Sequence, residues 1–105
     1  MTFGGSAFFP SDRVHPLLEV PAGAFGLVST PAIEQEMWPR CAMDGWLAGG
    51  ALEMGNGRAV VLGEAATCTA QLSGPDENPM GMNHPLAISN PQFCLNVLRW
   101  LVGIL

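Results

Sequence analysis

The stretch Asn90 to Leu105 constrains the fold most, because it alone fixes both a secondary structure and an orientation. Gln92, Asn96, Arg99 and Gly103 recur at i, i+4, i+7 and i+11, one polar stripe of a 3.6-residue helix. Phe93, Leu95, Val97, Leu98, Trp100, Leu101, Val102 and Ile104 take the remaining positions. The pattern predicts a closing helix with most of its circumference buried. Asn90 is suited to the N-cap and Pro91 to the first helical position, where the missing N–H has no intrahelical partner.

A core must exist to receive that helix. A chain of 105 residues buries about 65% of its unfolded surface, enough for one domain with one core. With 49% hydrophobic and 12% charged residues, and 13 Gly and 9 Pro, it is too apolar for disorder and rich in turns. The net charge of -5 arises from nine acids against four arginines. Such a balance lacks the basic patch of a nucleic-acid binder or an anionic-membrane binder, so neither partner is expected. No run reaches the roughly 20 apolar residues of a membrane span, and Met1 to Pro10 lacks the basic opening of a secretory signal. Cys41, Cys68 and Cys94 form no C-x-x-C pair, which suggests neither a disulfide framework nor a zinc site. A reduced, cytoplasmic setting is the expectation. The chain reads as a single α/β domain over 1–105, or as a fragment of a larger one.

Residues 1–13 set Phe3, Phe8 and Phe9 among glycines and Pro10, an irregular arm pinned by its aromatics. Short strands are expected across Val14 to Val20 and Ala24 to Ser29, with Pro16 and Pro21 favouring an edge position. Thr30, Pro31 and Glu34 have the form of a capping box opening a short helix to Met37, ended by Pro39. Gly55-Asn56-Gly57 between two apolar runs signals a β-hairpin. Its second strand, Ala59-Val60-Val61-Leu62, is continuously apolar, so it is expected at the sheet centre and covered on both faces. Glu64 to Leu72 suits a short helix. Ser73 to Ser89 reads as a long loop, and loops of that length are usually functional or mobile. The resulting fold class is α/β: a small layered sheet with a central hairpin and a C-terminal packing helix.

Glu64 follows the carboxyl end of the apolar strand, where open α/β sheets place ligands. The plainer reading is that its carboxylate charges the first turn of the next segment. A nucleophile elbow at this turn would need a nucleophile where Ala65 stands and a glycine where Thr67 stands. Cys68 is most simply an inert, small apolar residue. His15 and His84 each precede proline and lack the regular spacing of metal ligands, so they read as surface loop residues. Met43, Met80 and Met82 suit gap filling or an adaptable surface. Asp76-Glu77 reads as a solvated turn. The candidate ligand-binding residues are Glu64, Gln71 and His84; no catalytic residue, metal or cofactor is assigned.

The run Gly57-Arg58-Ala59-Val60-Val61-Leu62-Gly63-Glu64, followed by Asn90-Pro91-Gln92-Phe93 through Asn96, Trp100 and Leu101, resembles the C-terminal part of class I glutamine amidotransferase-like proteins, including the trehalose-utilisation-like group. The resemblance covers roughly the second half of the chain and implies a flavodoxin-like three-layer fold, here in truncated form. Its catalytic members carry an elbow cysteine and a histidine with a nearby glutamate. Neither is present, so no catalytic residue carries over. The implied function is a non-catalytic binding or assembly module. The competing reading is a hydrolase-like enzyme with a pocket at Glu64 and His84 beneath a 73–89 lid. A truncated parallel sheet would leave strand edges and an apolar face bare, which predicts a homo-oligomer.

Overall fold

The computed structural model describes residues 1–104. It is a small mixed α/β domain with three small sheets and one C-terminal helix. The largest sheet holds β1 (His15–Glu19), β4 (Leu47–Met54) and β5 (Gly57–Leu62) in the order β1-β4-β5. The expected hairpin is present: β4 and β5 pair from Gly49↔Leu62 to Met54↔Gly57. Gly55, at φ +56°, takes the first turn position, where glycine escapes the Cβ penalty.

The middle of β4 is Ala48-Gly49-Gly50-Ala51, and this lack of side chains is what lets other layers close in. A Cβ on Gly49 would meet Leu18 and Leu62, and one on Gly50 would meet Val14 and Phe8. The aromatic arm is thus pinned as expected, Phe8 and Leu47 exchanging backbone hydrogen bonds at 2.9 Å. The fully buried apolar set is small: Leu47, Ala51, Ala66 and Ala87.

The expected sheet centre requires correction. β4, not β5, is the interior strand, and Val61 is 57% exposed. A continuous apolar run signals two covered faces only when neighbours exist on both, and nothing here covers the Val61 face. Every strand pairing among the described residues is antiparallel, which hairpins and short loops can supply without crossover helices.

Two smaller units account for other differences. β2 (Phe25–Leu27) pairs with β3 (Arg40–Ala42), a strand with no clear sequence signal, and Arg40 stacks on Phe25 at 4.4 Å. The helix expected over 31–37 shrinks to a 3-10 turn at Gln35–Met37 that buries no residue, and Thr30 donates to the Val28 carbonyl instead of capping it. Without an apolar stripe to bury, so short a helix has little to stabilise it. Likewise the helix expected over 64–72 is one 3-10 turn, Ala66–Cys68, before β6 (Ala70–Ser73). β6 pairs with β7 (Asn78–Gly81), so the expected loop contains a hairpin. Its turn uses Gly74 and Glu77 at positive φ.

The closing helix, α1 (Asn90–Leu101), lies where the polar stripe requires, with Ser89 rather than Asn90 at the N-cap position. Phe93, Val97 and Trp100 face the sheet and are half-buried, while Leu95, Leu98 and Val102 are 42%, 61% and 71% exposed. The expectation of a mostly buried circumference therefore fails. The sheet side is half-covered and the opposite apolar side is bare.

Candidate functional site

Glu64 lies just past β5, as expected, but its carboxylate is engaged within the chain. It accepts the Phe3 backbone N–H at 2.8 and 2.9 Å through its two oxygens, the Gly4 N–H, and the Thr67 hydroxyl at 3.1 Å. Gly63 makes this possible. Its carbonyl accepts the Ser6 N–H at 2.9 Å, and any Cβ there would strike the Ser6 carbonyl. The carboxylate thus acts as a clamp on the arm, a role distinct from both the ligand site and the dipole partner that the sequence suggests.

His84 lies across Phe3 from that clamp. Its ring meets the Phe3 ring edge-on at 5.5 Å, and its Nδ1 accepts the Leu86 N–H at 3.1 Å. The structure therefore brings Glu64 and His84 to two sides of one residue, the backbone and the ring of Phe3. Gln71 is exposed on β6, and its carbonyl accepts from Asn83.

Cys68 is bonded to Cys94, with Cα atoms 5.8 Å apart, and Cys41 is the free thiol among the described residues. This corrects the reading of Cys68 as an inert thiol and removes the premise from which a reduced setting was inferred. Spacing could not show the pairing, because the two cysteines meet only when the Ala66–Cys68 turn packs on α1. Asn90, buried at 2% exposure, completes that junction. It donates to the carbonyls of Thr67 at 3.1 Å and Met1 at 2.9 Å and accepts from the Met1 nitrogen at 2.7 Å. Thr67 and Asn90 carry the junction between the arm, the turn and α1, and the sequence marked neither for it.

Hollows lie on both sides of β1 among the described residues. An open one of about 980 Å³ lies between the arm, β1 and the β2–β3 unit. A second, of about 410 Å³, runs between α1 and the sheet, with Leu17, Ala51 and Val60 on one side and Phe93, Val97 and Trp100 on the other. His15, Glu53 and Asn96 contribute its polar atoms. Glu64, Gln71 and His84 line neither hollow. Arg58 closes one end of the helix packing, its guanidinium 4.9 Å from the Trp100 ring and donating to the Trp100 carbonyl.

No helix among the described residues is long and apolar enough to cross a membrane. Comparison with protein-family models, curated proteins and solved structures finds no match.

Proposed function

We propose that this chain is a non-catalytic binding or assembly module related to the class I glutamine amidotransferase-like superfamily. The observation that carries the reading is the two-sided apolarity of α1. Phe93, Val97 and Trp100 occupy the sheet side, while Leu95, Leu98 and Val102 recur at i, i+3 and i+7 on the reverse and stand in solvent. A helix apolar on opposite sides belongs between two layers, and this chain supplies one of them. The internal engagement of the Glu64 carboxylate and of Cys68 supports the non-catalytic part. The hydrolase-like alternative requires Glu64 to shed the arm and to meet His84 in one pocket.

On this reading β4, β5 and α1 correspond to the closing elements of a shortened flavodoxin-like domain. The two stretches that carry the kinship fall on β5 and α1, in the expected order. The antiparallel pairing and the exposed Val61 do not add to it.

Sedimentation velocity at micromolar concentration tests the assembly reading. A species of at least twice the 11.1 kDa chain mass is expected. A stable monomer overturns self-assembly.

A further inference from the structure

The two edges of the main sheet differ. β1 is guarded: Pro16 has no N–H to offer, and the register is irregular on both sides of Leu18. Prolines and bulges of this kind are how exposed edges resist strand addition. β5 has neither device. Its sequence from Gly57 to Leu62 contains no proline, its ladder with β4 is unbroken, and Arg58 is its one charged residue.

The register shows which groups of β5 are free. Gly63 donates to the Ala48 carbonyl at 2.8 Å, and hydrogen-bonded and non-bonded pairs alternate along an antiparallel ladder. Val61, Ala59 and Gly57 therefore direct their backbone groups to β4, and Leu62, Val60 and Arg58 direct theirs outward. Among the described residues no backbone hydrogen bond outside the strand ladders reaches those outward groups.

We infer that the β5 edge pairs antiparallel with β5 of a second copy, about a two-fold axis at Val60. This rests on the assembly reading above and adds a contact surface separate from the bare side of α1. In that register Val60 faces Val60 of the other copy, and Arg58 and Leu62 face each other twice. All the outward amides and carbonyls are then satisfied together. On the opposite face Ala59 meets Val61, covering the exposed valine. In this register no like charges stand opposite each other. An interface that uses one patch on both subunits closes at a dimer and leaves β1 as the outer edge.

Amide hydrogen exchange across a concentration series, read beside sedimentation, tests this. Arg58, Val60 and Leu62 should gain at least about tenfold protection as the dimer forms, while Ala59 and Val61 stay protected throughout by β4. Val60→Pro removes an outward N–H without touching the β4 ladder, and Val61→Lys adds a charge to a side chain that is already exposed. Each should abolish the dimer while β4-directed protection persists, and Val61→Lys alone decides should the proline variant fail to fold. A dimer whose Arg58, Val60 and Leu62 amides exchange equally fast at every concentration, and which Leu98→Glu dissolves, overturns the edge and leaves the assembly reading standing. A monomeric wild type overturns both.

Discussion

Both carboxylate oxygens of Glu64 accept the backbone N–H of Phe3, a residue 61 positions earlier in the chain. The arm is thereby tied to the end of β5 by charge-assisted bonds rather than by burial. Glu64→Gln keeps the size and loses the charge. It should lower stability by about 1–2 kcal/mol, since bonds to a charged group contribute about 1.5–3 kcal/mol and a neutral amide retains part of that. Urea denaturation measures the loss, and faster exchange of the Phe3 and Gly4 amides assigns it to the arm.

Gly63→Ala probes the same attachment from the backbone side. The added methyl would run into the Ser6 carbonyl, which belongs to the chain and cannot swing away as a side chain would. The arm should detach, with cleavage by a protease before Phe8 becoming faster than in wild type. Gly74→Ala is the comparison: nothing lies within 4 Å of its added Cβ, and only its φ of +75° opposes the change. It should leave the arm protected.

Asn90→Asp replaces a buried donor with an acceptor facing the carbonyls of Thr67 and Met1. Leaving those carbonyls without a donor costs about 1–3 kcal/mol, while the Oδ1 contact to the Met1 nitrogen is kept by Asp and lost by Ala. Asn90→Asp and Asn90→Ala should both lower the urea midpoint, and a midpoint unchanged in either shows that the junction does not depend on the Asn90 amide.

Reduction of Cys68–Cys94 opens a link spanning 26 residues. In chain-entropy terms such a link stabilises by about 3.5 kcal/mol. Thermal denaturation should therefore shift down on adding a dithiol reductant, and the shift should be absent in a Cys68→Ala/Cys94→Ala variant. Thiol titration of the denatured protein should rise from one group to three on reduction, given three cysteines in the chain.

Local rules reached the elements whose signals are complete within a few residues. The Gly55-Asn56 turn, the two short strands and the closing helix each depend on neighbours in sequence; each is present, with β1 at His15–Glu19, β2 at Phe25–Leu27 and α1 opening one residue earlier than expected, at Asn90. Rules that assume a neighbour failed where that neighbour is missing. Val60-Val61 has the composition of a covered strand yet sits at an edge, and the segment 31–37 has capping residue types in its sequence but no apolar face to bury and no cap formed.

What the sequence determined by itself was the hairpin, the closing helix and its polar stripe, because periodicity and turn chemistry act over a few residues. The tertiary structure decided that Cys68 meets Cys94, that Glu64 holds Phe3 and that Asn90 joins Thr67 to Met1. Those contacts link residues 23 to 89 positions apart, and their partners are fixed by where the layers pack. It likewise decided which edge and which helix side remain bare, since exposure belongs to the arrangement of elements and not to any one of them.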